Sequence, residues 1–466
     1  MRRIAALAIL AAGCTTVGPD YKRPSIELPA QFPAGDAADA RLAPSWWTLY
    51  RDATLDELVA AARKNNADVR LAAARVREAE AVLREANAAF FPEVNATASG
   101  SRARVSQQTL PPSPRGVPLV RPNYLFSLST SFELDFWGRF ARASEAARAN
   151  LLATRLGQDV VALGLAGSTA QAYFALRSFD AQITVLNNSL KLRNDSLAIA
   201  QARLDAGLAS ELDVYQAQGA VADALVQRRD AERGRALLER QLGQLVGQLD
   251  LKIPAGDLFA LPVPPTPPAG LPSALLERRP DIRSAEESLV AANAQIGIAR
   301  AAMFPTISLT AAAGTQSVEL NNLFQGGAGI WSFGANITAP IFDAGRRAAR
   351  VEQADARRGQ SLAQYQRAIE TGFREVAEGL VNVQGSADTE AGLAERLRAA
   401  RNALELSTLR YESGYSPYLE VLDAQRTAND AELAYVRNRQ ARLAFSVDLM
   451  KALGGGWSPG KPGSEP

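Results

Sequence analysis

YLFSLSTSFELDFWGR, residues 124–139, changes its periodicity once, and that change decides the fold. Up to residue 135, Phe126, Leu128, Thr130, Phe132 and Leu134 alternate with Ser127, Ser129, Ser131, Glu133 and Asp135, the period of two expected of a strand with one apolar and one polar face. From Gly138 to Gly207 nothing then interrupts a helical pattern. Roughly 70 residues rising 1.5 Å each make a helix about 100 Å long. Leu176, Ile183, Leu190, Leu197 and Leu204 recur every seven residues along it. A sustained seven-residue stripe packs helices as a left-handed coiled coil and implies no chemistry of its own.

The same switch occurs a second time. WSFGANITAPI at 331–341 alternates Trp331, Phe333, Ala335, Ile337, Ala339 and Ile341 with Ser332, Gly334, Asn336 and Thr338, and a long helical span follows from Gly345. The halves superimpose at two offsets. Asn66, Asp68, Val69, Arg70 and the Phe91–Pro92 pair match Arg279, Asp281, Ile282, Arg283 and Phe304–Pro305 at an offset of 213 (Asp68 to Asp281). Gly138, Arg203, Gly207, Asp213, Val214 and Gln218 match Gly345, Arg410, Gly414, Glu420, Val421 and Gln425 at an offset of 207 (Gly138 to Gly345). Offsets this constant mark an internal duplication. Their difference places extra residues in the long, proline-rich loop 105–123 of the first half, against the shorter, glycine-rich 316–330 of the second. The second heptad row is Val383, Glu390, Leu397, Leu404 and Tyr411, broken at Glu390.

Proline stops helices and is excluded from central strands, so the proline-free blocks outline the elements. The expected division is a signal peptide at 1–13, an extended N-terminal segment at 14–50, repeat 1 at 51–253, a Pro-rich linker at 254–272, repeat 2 at 273–453 and a tail at 454–466. Repeat 1 should hold helices, a strand hairpin near 94–135, the long helix near 138–207 and a helix near 210–250. Repeat 2 should hold a helix near 281–303, a hairpin near 306–342, a long helix near 345–413 and a helix near 417–453. Alternating runs of about ten residues with aromatics near an end fit tilted transmembrane strands, and equally a soluble hairpin with one wet face. Four strands cannot close a membrane barrel, and an open edge in lipid is prohibitive, so a membrane reading demands several copies. Two copies give eight strands with a filled interior; three give twelve with a lumen, for which Ser127, Ser129, Ser131, Ser332 and Asn336 form a suitably polar lining.

The N-terminus reads as an export signal: the basic Met1-Arg2-Arg3, the apolar run Ile4 to Ala12, then Gly13-Cys14. Nine apolar residues are too few to span a bilayer. LAAGC at 10–14 resembles a bacterial lipobox, which makes Cys14 the acylated first residue of the mature chain; an ordinary secreted protein with one stray thiol is the other reading. Thr15 after it suits sorting to the outer membrane. Histidine is absent and Cys14 is the single cysteine, which excludes His-dependent triads, Cys–His nucleophiles and His/Cys zinc sites. With three methionines and a net charge of +2, neither a soft-metal relay nor a nucleic-acid partner is indicated. No catalytic residue, no metal and no cofactor beyond the lipid on Cys14 is expected.

VGPDYKRP at 17–24, LDFWGR at 134–139, PIFDAGRR at 340–347 and YESGYSPYLEVLDAQR at 411–426 together resemble the TolC-like outer-membrane efflux proteins, in particular the lipid-anchored NodT-type branch that serves resistance-nodulation-division pumps. The resemblance runs over essentially the whole chain. It implies a mainly α fold with β: a homotrimer forming a twelve-stranded transmembrane β-barrel, four strands per protomer, continued by a long periplasmic α-helical barrel. It also implies a passive efflux duct, with a periplasmic adaptor protein and an inner-membrane pump as partners. Two alternatives are an outer-membrane channel for type I protein secretion and, from another class, a pore-free periplasmic coiled-coil scaffold.

Glu420 and Asp423 lie three apart after Pro417 and so share a helix face. By the resemblance they line a periplasmic gate, where three protomers would bring six carboxylates together. As helix N-terminal acids they also have an ordinary dipole role. The resemblance gives Tyr411 a part in holding the aperture shut and puts the family's basic partner position on Ser416. Gly207-Leu208 and Gly414-Tyr415 are hairpin tips; glycine there permits the turn, and by resemblance these tips dock the adaptor.

Overall fold

The computed structural model describes residues 16–26, 43–106, 108, 116, 118–267 and 272–456. The signal peptide, Cys14, residues 268–271 of the linker and 457–466 of the tail lie outside the described residues. Within them the helices are α1 (Ala53–Asn65), α2 (Ala67–Ala88), α3 (Arg139–Asp205), α4 (Glu211–Val246), α5 (Pro272–Arg278), α6 (Pro280–Ala301), α7 (Arg346–Glu412) and α8 (Tyr418–Ala452). The strands are β1 (Glu93–Arg104), β2 (Val120–Leu134), β3 (Thr306–Ser317) and β4 (Gly329–Thr338). The two long helices, α3 and α7, are 67 residues each. Two compact units divide the chain: the described part of Met1–Pro24 with Arg77–Ala153 and Ala285–Gln364, and Ser25–Val76 with Thr154–Ser284 and the described part of Tyr365–Pro466.

The first unit is built on one antiparallel sheet in the order β1-β2-β3-β4. Its register sorts the alternating side chains onto two faces. Val94, Phe126, Leu128, Phe132, Leu309, Trp331, Phe333 and Ile337 fall on one; Asn95, Ser127, Ser129, Ser131, Ser308, Thr310, Ser332 and Asn336 fall on the other. The apolar face is bare in the protomer, with Trp331 83% exposed. Pro122 sits in β2 opposite Arg102, before pairing with β3 begins at Tyr124, where its missing N–H breaks no second ladder. The hairpin expected to reach 342 stops at Thr338, because Pro340 lacks the N–H that would extend the ladder; Ile341 and Phe342 project freely beyond it.

The N-terminal strap VGPDYKRP lies where the strands meet the helices. Val17 donates its N–H to the Trp137 carbonyl at 3.0 Å, and Asn293 donates to the Pro19 carbonyl at 2.7 Å. Arg142, which is buried, reaches Asp20 at 2.6 Å, and the Arg23 guanidinium makes a forked contact with the buried Glu286. Gly18 and Gly297 are in backbone contact: a Cβ on Gly18 would stand 2.5 Å from the Gly297 Cα.

In the second unit a 3-10 turn, Trp46–Tyr50, corrects the expectation that 14–50 is extended. Trp46 and Tyr50 are fully buried with Tyr173, Phe174, Leu176 and Leu242, and burying such aromatics outweighs the backbone entropy of an ordered turn. Two arginines clamp the start of the linker: Arg177 and Arg235 both bond the buried Asp180, at 2.9 and 2.6 Å, and donate to the carbonyls of Pro254 and Ile253. Pro272, assigned to the linker, instead opens α5, a position where its missing N–H is harmless. The break in the second heptad row is an ion-pair site, since Glu390 is held by Arg439 and Arg442 of α8.

The duplication is visible as repeated contacts. Asn66 Nδ2 donates to the Leu245 carbonyl at 3.0 Å, and its counterpart Arg279 donates from Nη1 to the Ala452 carbonyl at 2.9 Å. Each bond runs from the loop before a helix to the last turn of its repeat's closing helix. Two residues on, Gly247 and Gly454 both take positive φ, 72° and 93°. A Cβ on Gly247 would press on Asn65, and one on Gly454 on the equivalent Arg278.

Gly314 tests the sheet. A Cβ there would stand 2.2 Å from the Phe126 carbonyl oxygen, whereas one on Gly329 meets open space. Gly314→Ala should destabilise the sheet by about 1–3 kcal/mol and lower the temperature at which folded oligomer is lost in semi-denaturing gels, while Gly329→Ala should leave it unchanged.

Candidate gate and hairpin tips

Both hairpin tips are built the same way. Gly207, at φ 70°, donates to the Leu204 carbonyl while Leu208 donates to that of Arg203, and Gly414, at φ 80°, donates to Tyr411 while Tyr415 donates to Arg410. This is the paired 6→1 and 5→2 closure that a left-handed glycine allows. It leaves Leu208 and Tyr415 pointing outward, 70% and 81% exposed.

The helices that return from these tips start differently. Ser210 caps α4 in a capping box, with Asp213 as the reciprocal partner. The equivalent residue before α8 is Pro417, which has neither a hydroxyl nor an N–H to take part. Glu420, the counterpart of Asp213, is thereby released from capping, and its carboxylate lies 3.3 Å from the Arg410 guanidinium. Asp423 pairs with Arg426 at 2.8 Å. The structure therefore gives each of the two acids an arginine of its own. Both pairs are well exposed, so salt screens them strongly.

Tyr411 behaves otherwise. It is buried with Ala200, Val214, Ala217, Tyr418 and Val421, its ring centroid 5.5 Å from that of Tyr418. Burial raises its hydroxyl pKa against the opposing pull of Arg203. The Arg203 guanidinium lies over the Tyr411 ring, 4.7 Å from its centroid, and donates to the Tyr411 carbonyl. Ser416 is buried and is not in bonding contact with Tyr411. Arg203, Arg410 and Arg426 are the residues that a reading of the sequence alone passed over. Their signal was present, because Arg203 and Arg410 are equivalent under the duplication and stand four residues before each tip glycine. Among the described residues no group of His, Cys, Asp and Glu is arranged to hold a metal, and no helix is long and apolar enough to cross a membrane.

The family model for outer membrane efflux proteins matches residues 58–248 and 271–455. The chain belongs to that family. It is 36% identical over 466 residues to the solvent efflux pump outer membrane protein SrpC of Pseudomonas putida, covering 97% of each chain. It is 34% identical over 467 residues to the cation efflux system protein CusC of Escherichia coli, again covering 97% of each. The open-state structure of the Neisseria gonorrhoeae outer membrane channel MtrE superimposes with a TM-score of 0.85 at 31% identity, over 95% of this chain and 99% of that one. The fold is that of the trimeric outer-membrane efflux channels, four strands per protomer and long periplasmic helices. The protein is a channel and not an enzyme, and the pore-free scaffold is set aside.

The arginine partners change what the acids should do at an aperture. With Glu420 and Asp423 both replaced by alanine, Arg410 and Arg426 are left uncompensated in every protomer. Single-channel recordings of the double variant should show selectivity shifted toward anions, most strongly at low salt, and the Arg410→Ala, Arg426→Ala double variant should shift it toward cations.

Proposed function

We propose that three copies close their sheets edge to edge into the outer-membrane section of a tripartite pump, through which cargo passes without energy input from this chain. The observation that carries the reading is the open sheet. Four strands sorted into an apolar and a polar face leave β1 and β4 each with one unpaired side, and in lipid those backbone groups must find a partner. Joining β1 of one copy to β4 of the next satisfies them and puts Trp331, Phe333 and Ile337 toward the hydrocarbon. The serines, threonines and asparagines of the other face then line a wet passage, joined at its helical end by Glu93 and by Glu133, which is paired with Arg139, and a polar lining of this kind suits a duct that leaves cargo selection to the pump. Relatives named for solvents and for cations sharing one fold are in keeping with that.

The partners proposed are an inner-membrane pump of the resistance-nodulation-division class and a periplasmic adaptor that meets the tips at Gly207, Leu208, Gly414 and Tyr415. Glu420, Asp423 and Tyr411 form the periplasmic gate. Cys14 carries the lipid. Its proposed place agrees with the strap, because Thr16, two residues on, packs against Gly138 where strand gives way to helix. An acyl chain starting there enters the bilayer beside the barrel.

Two measurements test these assignments. Photoactivatable crosslinkers on Leu208→Cys and Tyr415→Cys should capture the adaptor in cells, while one on Leu237→Cys, also well exposed but in the far half of α4 from the tip, should not. Capture from all three sites alike would remove the tips as the docking point. Cys14→Ser should abolish incorporation of labelled palmitate; undiminished labelling would place the lipid elsewhere.

A further inference from the structure

The apolar face of the sheet carries charge in one place. Along the described strands every side chain on that face is uncharged except Arg102 and Arg104, which stand at the end of β1 farthest from the helices. Both are exposed, and among the described residues no ion pair, hydrogen bond or ring contact holds either guanidinium. Arg121, opposite Ala103, belongs to the polar face and donates from Nε to the Pro118 carbonyl at 3.0 Å. The two arginines without a partner in the protomer are thus on the side that meets lipid.

Their height follows from the strand register. From Leu134 to Tyr124, β2 climbs about ten residues, which at about 3.4 Å each and a tilt of about 40° makes about 26 Å, close to the apolar band of a membrane barrel. Tyr124 ends that band. Its ring lies over Gly100, where a Cβ would stand 3.2 Å from it, and Phe324 of the loop after β3 meets Phe126 with ring centroids 5.9 Å apart. Aromatic rings gather where hydrocarbon gives way to headgroups. Arg102 pairs with Pro122 and Arg104 with Val120, so they stand about 5 and 10 Å above Tyr124. That is headgroup level, on the outer side, because the helices leave the sheet at its periplasmic end.

We propose that Arg102 and Arg104 form a binding site for the phosphate-bearing headgroups of outer-leaflet lipid, one site on each protomer. This rests on the proposed closure of three sheets in the membrane. A guanidinium presents a planar fork that matches two phosphate oxygens and is more weakly hydrated than an ammonium. Two of them, two residues apart on one strand, project to the same side about 7 Å from each other and can take a pair of phosphates or clasp one between them. In a leaflet crowded with phosphate they relieve repulsion that divalent cations must otherwise screen. A free phosphate offers the same oxygens but has no acyl chains, and the wall below this site is apolar, with Tyr124, Phe126 and Phe324. Lipid satisfies both parts. The acid in the loop that closure brings beside β1 is Glu319 of the next copy, and within its own loop Glu319 already accepts from Asn322 at 2.7 Å.

The test titrates the full-length trimer in detergent with bisphosphorylated lipid A and counts bound lipid by native mass spectrometry, with insertion into planar bilayers recorded alongside. Arg102→Gln and Arg104→Gln should each weaken binding about fivefold and the pair about twentyfold, the order expected for an arginine near an anionic lipid surface. The Arg102→Lys, Arg104→Lys pair, which keeps the charges without the planar forks, should fall between. Dephosphorylated lipid A should bind the unaltered protein as weakly as bisphosphorylated lipid A binds the glutamine pair. Arg121→Gln, at the same end on the polar face, should leave binding unchanged. Gels that resolve heat-modifiable trimer check assembly, and the single variants are read if the glutamine pair fails to assemble. Undiminished binding in variants that still insert would sink the site and spare the channel, whereas a chain that neither forms trimers nor inserts would remove both. Equal loss in Arg121→Gln would reduce the effect to the overall charge of the rim and overturn the site. Displacement of lipid by inorganic phosphate at equal concentration would make free phosphate the ligand and overturn the lipid assignment. Undiminished lipid binding, with trimers of both the glutamine pair and Glu319→Gln lost at lower temperature, would make the arginines a contact between copies instead.

Discussion

Backbone amides at a sheet edge have nowhere to go in hydrocarbon. Each N–H or C=O left without a partner there costs several kcal/mol, and β1 and β4 expose a full row of them. A soluble protein can blunt an edge with lysine or a bulge, but a lipid-facing sheet has closure as its one remedy. Much of the rest of the chain follows from that constraint. The strands need fixed registers, so β2 pairs with β3 across the two repeats and makes one sheet of the pair of hairpins. The strap ties α3 and α6 together below it, so that the strand ends leave the sheet at defined places.

The duplication supplied two copies of one solution and then let their details part. Asn66 and Arg279 hold the same carbonyl of the closing helix, one with a neutral amide and one with a cation that also gathers Asp281 and Glu375. Ser210 and Pro417 begin equivalent helices, and replacing a hydroxyl with a pyrrolidine ring turned a capping acid into an ion-pair acid at Glu420. Backbone demands stayed fixed through this drift. Gly207 and Gly414, like Gly247 and Gly454, keep positive φ because the turns after those helices admit little else.

How much of this was legible in the amino-acid sequence depended on whether the determinant was local. Alternation at 124–135 and the unbroken span after Gly138 reveal strand and helix because period and proline depend on near neighbours. The repeat offsets located equivalent residues before any coordinates. What escaped were long-range contacts between polar groups. Arg203 registered as a marker of the duplication, and its placement over Tyr411 depends on how two hairpins 208 residues apart pack. The arginines beside Glu420 and Asp423 were in plain view, yet charge partners on neighbouring turns have several choices that only packing decides. Trp46 to Tyr50 escaped for the opposite reason: a single short turn has no period to detect.

The tips carry one more implication. Each protomer ends in two turns of identical backbone and different surface, Leu208 on one and Tyr415 on the other. Threefold assembly converts that pair into a crown of six points with sixfold shape and only threefold chemistry. A partner that samples shape alone will see equivalent perches, and one that reads side chains will distinguish odd from even. Identical subunits of such a partner would have to accept quasi-equivalent footing, settling in alternating postures around the crown.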